Sequence, residues 1–112
     1  MPAQSIRTAT IAAGQSLSGA VDLAGLPIVG LYMPAVWDTA EMTFQASYDG
    51  SNWHEVDNIT RDPWRIEPDA GKFYPVVRLE LEGIRFMRIR SGKASVPIAQ
   101  SAERTIRLVL KE

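Results

Sequence analysis

The sequence predicts an all-β protein, a single-domain antiparallel β-sandwich of jelly-roll type with about eight strands. Three observations carry this prediction. Apolar residues alternate at period two over short runs, clusters of Gly, Pro, Asp and Asn separate those runs, and helical periodicity is weak, its best candidate being one turn at residues 99–104. The chain has 112 residues, of which 46% are hydrophobic. That is the size of one domain, and folding should bury roughly two thirds of the surface the unfolded chain exposes. The expected organisation is one domain over residues 1–112, with residues 1–6 as a flexible N-terminal arm.

In chain order, a weak strand is expected over residues 7–11. Residues 17–23 alternate Leu17, Val21 and Leu23 against Ser18 and Asp22, and residues 28–33 form a short apolar run closed by Pro34. The hairpin that follows is the most legible element. Residues 42–47 lead into Tyr48, Asp49 and Gly50, and residues 53–56 return, with Gly50 supplying the positive φ that a tight connection needs. This hairpin lets Phe44 and Trp53 close over one core. A weak strand at residues 73–75 precedes residues 77–82, where three apolar residues face inward and Arg78, Glu80 and Glu82 face water before Gly83 ends the run. Residues 85–91 form a further strand whose apolar positions, Phe86, Met87 and Ile89, hold no single phase, which suggests a bulge or burial on both faces. The last strand, residues 104–110, puts Ile106, Leu108 and Leu110 on one face.

Composition excludes several chemistries. With no cysteine there is no thiol nucleophile, disulfide or thiolate metal site, and His54 is the lone imidazole. No Gly-x-Ser-x-Gly elbow and no phosphate-binding Gly-rich loop with a following Lys-Ser or Lys-Thr is present. Asp49, Glu55, Asp57, Asp62, Glu67 and Asp69 crowd one third of the chain, but their spacing fits neither an EF-hand loop nor a diagnostic carboxylate pair, and turn acids of this kind are ordinary solvated residues. The expectation is a protein without catalytic residues, metal or cofactor. The formal net charge of −1 argues against nucleic acid or an anionic membrane as partner. No run reaches a membrane-spanning length, and the N-terminal residues lack the order of a signal peptide, so a soluble product made in the cytoplasm is expected.

The total charge conceals a division. Residues 38–69 hold eight acids against Arg61 and Arg65, a net of −6, whereas residues 85–112 hold seven bases against Glu103 and Glu112, a net of +5. Two uses are open, neutralisation inside one domain or head-to-tail pairing between copies. Aromatic residues offer another surface: Trp37, Tyr48 and Trp64 form a candidate platform for sugar faces. The preferred reading makes Trp53 core and Trp64 a loop anchor or interface residue beside Arg65.

Residues 44–53, with Phe44, Gln45, Ser47, Asp49, Gly50 and Trp53 in order, resemble the hairpin of small β-sandwich modules, many adhesive or carbohydrate-binding. Residues 86–92, followed by Pro97, Gln100 and Arg104, are similar to a group of short proteins encoded in the structural regions of tailed bacteriophages and gene-transfer agents. The resemblance spans about two thirds of the chain, from Thr39 onward. It implies a virion structural protein, a capsid cement or decoration protein or the base of a head spike, bound to the major capsid protein on the capsid surface and assembled as a homo-oligomer, with a trimer favoured. No repetitive shaft is present, which favours the compact decoration role. The alternative is a carbohydrate-binding or adhesion module on a spike or fibre base. Loops 57–73 and 92–104 are the expected contact segments, the second as an arm that orders on contact. Their expected contact residues are Trp64, Arg65, Lys93, Gln100 and Arg104.

Overall fold

The computed structural model describes residues 4–76 and 81–112. Eight strands lie in these residues: β1 (Gln4–Ile11), β2 (Val21–Asp22), β3 (Ile28–Tyr32), β4 (Met42–Ser47), β5 (His54–Glu55), β6 (Phe73–Pro75), β7 (Phe86–Ser91) and β8 (Arg104–Lys111). They form two four-stranded antiparallel sheets, ordered β1-β8-β3-β6 and β2-β7-β4-β5. The pairs β1 with β8, β2 with β7, β3 with β6 and β4 with β5 are all hydrogen-bonded neighbours. That is a long antiparallel ribbon folded at the β4–β5 hairpin and wound around a barrel axis, the jelly-roll connectivity.

Each pairing is antiparallel, so odd-numbered strands run one way and even-numbered strands the other. The connections after β1, β3, β5 and β7 therefore gather at one end of the sandwich. Those after β2 and β4, with residues 81–85 ahead of β7, gather at the opposite end. Between the sheets, Ile11, Leu31, Ile106, Leu108 and Leu110 meet Met42, Phe44, Met87 and Ile89, all essentially without solvent exposure. Period-two alternation produces this core directly, since every second side chain of a strand points to the same face.

Several local expectations change. Gln4 to Ile6, expected in the N-terminal arm, pair in register with Val109 to Lys111. The run 17–23 contributes only the two-residue β2 and a single bridge from Leu17 to Arg90. Residues 77–80 of the expected strand 77–82 lie outside the described residues; Leu81 is buried, and Glu82 and Gly83 form a turn. No bulge interrupts β7, which keeps continuous register with β4 from Ser91 to Phe86, and the shift occurs instead in β3 between Ile28 and Gly30. The mixed phase of β7 comes from its outward residues: Phe86 is half-covered beneath Gly50, and Arg90 is buried by its partners. Trp53 does not close over Phe44. It lies beneath the guanidinium of Arg88, 4.0 Å from its ring centre, and Trp64 takes the place beside Phe44 at 5.0 Å between centroids. Residues 99–104 form no helical turn; they are a bend leading into β8.

Glycine is required most strictly at Gly92, which has φ +91°, and where a Cβ would lie 2.5 Å from the carbonyl oxygen of Val96 and 2.7 Å from the backbone nitrogen of Ile98. Gly71 shares a positive φ, +73°, but faces open space. Gly92→Ala should destabilise by about 2–4 kcal/mol, from backbone strain plus overlap with immovable main chain. Gly71→Ala should cost about 1 kcal/mol. Urea unfolding midpoints of the two variants measure this, and equal losses contradict it.

Candidate functional site

The end of the sandwich built from residues 12–20, 33–41, 56–72 and 92–103 collects Trp37, Trp64, Arg65, Lys93 and Gln100, with Arg104 at the adjoining start of β8. Main-chain bonds tie these loops to one another. Gly14 N–H donates to the Gln100 carbonyl and Gln100 N–H to that of Gln15; Gly92 N–H donates to the Glu41 carbonyl; Met42 and Ile66 exchange both bonds. The segment 92–104 is accordingly bound down rather than a free arm. Its first turn closes through reciprocal bonds between Lys93 and Val96, and Ile98 N–H returns to the Ser91 carbonyl.

Beneath the loops lies a buried polar network centred on Gln100, which has no exposure. Its Oε1 accepts from Asp38 N–H at 2.9 Å and from Arg104 Nε at 3.2 Å. Its Nε2 donates to the Asp38 carbonyl at 3.0 Å and to Ser91 Oγ at 2.8 Å. Both donors and both lone pairs of the amide are thus used, the condition under which burying it is tolerable. Arg104, 8% exposed, also donates from Nη2 to Asp38 Oδ1 at 3.0 Å, and Asp38 Oδ2 accepts from Ser101 N–H. The Ser101 hydroxyl and N–H, then Arg104, hold the Asp38 carboxyl below the usual range. Gln100 and Arg104 therefore correct the expectation: they position the loops from within and present no contact surface. Nothing in their local sequence distinguishes a buried amide and guanidinium from exposed ones.

Above the network the surface is mixed. Glu41 lies between Arg65, at 3.4 Å, and Lys93, at 3.8 Å. Asn58, Asp62, Pro63, Trp64 and Arg65 line a cleft of about 380 Å³. The Asn58 carbonyl side chain accepts from the N–H groups of Thr60 and Asp62, closing a tight turn that carries Ile59 at its tip, 99% exposed. Val36, Val96 and Ile98 are exposed at the same end, so four of the eight large exposed apolar side chains among the described residues gather there. Sequence reading missed these four, since an isolated aliphatic residue in a loop carries no signal of its exposure. Trp64 is half-buried, its edge on Phe44.

The charged segments meet inside the domain. Asp38 pairs with Arg104, Glu41 with Lys93, and Glu55 with Arg90, each linking the acidic stretch to the basic one. These three pairs neutralise part of the division within the domain. Trp37 leaves the sugar platform: it is 8% exposed and its indole N–H donates to the Ala40 carbonyl at 3.1 Å. Tyr48 lies at the opposite end, 74% exposed and stacked on His54. Among the described residues no group of three or more His, Asp or Glu side chains is placed to hold a metal ion.

Gln100→Ala should cost about 2–4 kcal/mol, because it strands buried partners on Asp38, Ser91 and Arg104 as well as leaving a void. A loss below that of an exposed control such as Gln15→Ala, read by chemical denaturation, contradicts the role given to the network. Acid should act on the same groups. Arg85 lowers Asp22, Ser101 lowers Asp38, the N–H groups of Asn52 and Ser51 lower Asp49, and Arg90 lowers Glu55. Each carboxyl binds its proton less readily folded than unfolded, so its contribution is full above roughly pH 5, past the unfolded values, and is lost as pH falls through the lowered ones. Tm should hold level from neutral pH down to about pH 5 and fall steeply below about pH 4. A Tm that rises on acidification contradicts this.

No protein-family model matches the sequence, and no curated protein matches it significantly. Solved structures do match its fold. The SPBc2 prophage-derived protein YomS superimposes with a TM-score of 0.63 at 11% identity, covering 100% of this chain and 96% of that one. CBM32-1 from a family 31 glycoside hydrolase of Clostridium perfringens does so with 0.51 at 13% identity, covering 90% of this chain and 71% of that one. At such identities the likeness establishes the two-sheet fold alone.

Proposed function

We propose that the protein is a non-enzymatic virion structural protein that decorates the outside of a phage head, docking its loop end on the major capsid protein and associating with copies of itself, as a trimer, on the shell. The observation that carries this reading is that Val36, Ile59, Val96 and Ile98 are exposed at the same end as Arg65, Lys93 and Trp64, on loops of which three are tied together by Gln100 and the fourth, 56–72, by the Met42–Ile66 exchange. Exposed aliphatic side chains clustered on one end of a small domain are the usual mark of a surface meant to be covered. A rigid support removes the ordering cost that a mobile loop incurs on binding. The full-length likeness of fold to a prophage-derived protein supports a phage origin.

A decoration protein acts through many weak copies, so avidity supplies strength that one contact lacks. Charge plays a smaller part than the sequence suggests, because three pairs between the acidic and basic stretches are closed within the domain. Docking then rests on apolar contact flanked by the Arg65–Glu41–Lys93 cluster. The glycan alternative loses Trp37 to burial, and Trp64 offers only part of its ring beside Phe44, so neither tryptophan serves as an open platform.

Addition of purified protein to heads that lack it tests the proposal. Ile59→Ser and Arg65→Ala alter exposed side chains and should leave the fold intact, while each weakens coating about tenfold. Wild-type occupancy by both variants overturns the assignment of the loop end as the docking surface. Light scattering should give a trimer, either free or after release from particles; a monomer in both conditions overturns the self-association.

A further inference from the structure

We infer that the opposite end of the sandwich carries a binding site for an uncharged pyranose, in which Tyr48 stacks on the sugar face and the Asp22–Arg85 pair meets its hydroxyls. This end is formed by the connections after β2 and β4 and by residues 81–85, in a molecule whose longest extent is 39 Å. A shallow groove of about 230 Å³ opens there, with Ala46, Tyr48, His54, Gly83, Ile84 and Arg85 among its lining residues, and Asp22 is paired to Arg85. The site does not depend on what the loop end binds.

Three properties point to a sugar. First, Tyr48 is 74% exposed yet ordered: its ring lies nearly parallel to that of His54, 26° between planes. Its backbone is pinned on both sides, since the Ser47 hydroxyl accepts from Gly50 N–H and the Asp49 carboxylate accepts from the N–H groups of Ser51 and Asn52. A large aromatic face held open to water incurs little further ordering cost when a flat apolar face covers it. The CH face of a pyranose is such a surface.

Second, the rim supplies donors and an acceptor side by side. Asp22 accepts from Arg85 Nε at 2.9 Å and from Nη2 at 3.4 Å, and also from Ala24 N–H. A guanidinium carries five N–H donors, so three remain, and both side chains are about half exposed. A fixed donor fork beside a carboxylate matches vicinal hydroxyls. Third, Arg85 is the cation among the groove's lining residues and is paired to Asp22, while Arg7, outside the lining, donates to the Asp22 carbonyl, so the groove wall favours a neutral ring over a phosphate or an acidic sugar. The groove is open and short, suited to one ring.

Two-dimensional ¹H–¹⁵N NMR titration of the whole protein tests the site, with methyl β-galactoside, methyl α-glucoside and N-acetylglucosamine as probes. At least one should give saturable shifts, at millimolar concentration, confined to Tyr48, His54, Gly83 and Arg85. Tyr48→Ala should weaken that binding about tenfold with Tm unchanged, whereas Tyr48→Phe should retain it. Absence of saturable shifts with all three sugars overturns the inference. So do shifts that map to the loop end, or that persist at full strength in Tyr48→Ala.

Discussion

The side-chain amide of Gln100 is the contact on which the loop end depends. A single buried group bonds Asp38 in the β3–β4 connection, Ser91 at the end of β7 and Arg104 at the start of β8. Its main chain adds the β1–β2 connection through Gly14 and Gln15. Three of the four loops at this end are therefore fixed to one another by one residue, and the fourth joins through the exchange between Met42 and Ile66. A fully satisfied network of this kind favours one arrangement, because any other leaves buried donors or acceptors without partners. The exposed side chains above it inherit that rigidity.

The winding of the ribbon explains why this end exists at all. Alternating strand direction sends every second connection to the same end, so residues distant in sequence, such as Asp38 and Ser101, become neighbours. The β4–β5 hairpin occupies the other end, where Tyr48 is displayed. A small sandwich thus acquires two chemically distinct poles: an aliphatic pole beside the Arg65–Glu41–Lys93 cluster on a locked base, and an aromatic pole beside an ion pair. The first suits attachment and the second suits recognition. The core between them, with Phe44, Met87, Leu108 and Leu110 fully enclosed, keeps the two poles in fixed relation.

Much of the fold was legible because period-two patterns report burial directly. The Met42–Ser47 strand with its Asp-Gly turn and the Arg104–Lys111 strand fall where alternation places them. The residues 17–23 show the limit: their alternation is genuine, with Val21 and Leu23 buried, yet only two of them pair in a sheet, because burial and ladder pairing are separate demands. The candidate site was legible in location and less so in detail. Loops 57–73 and 92–104 do reach one end, but Arg104, Gln100 and Trp37 turned out to be internal. A polar residue in a loop reads as exposed unless its partners are known, and those partners lie as far as 66 residues away in sequence. Ile59 was missed for the converse reason, since its exposure follows from the turn that Asn58 organises.

The central claim is that the locked loop end is the surface that meets the capsid. Hydrogen–deuterium exchange of the protein bound to heads, compared with the protein free, tests it most directly. The account predicts new protection confined to residues 33–41, 56–72 and 92–103, with the hairpin at residues 48–53 exchanging as in the free protein. Protection concentrated at that hairpin or on the outer face of either sheet, with the loop end unchanged, would contradict it.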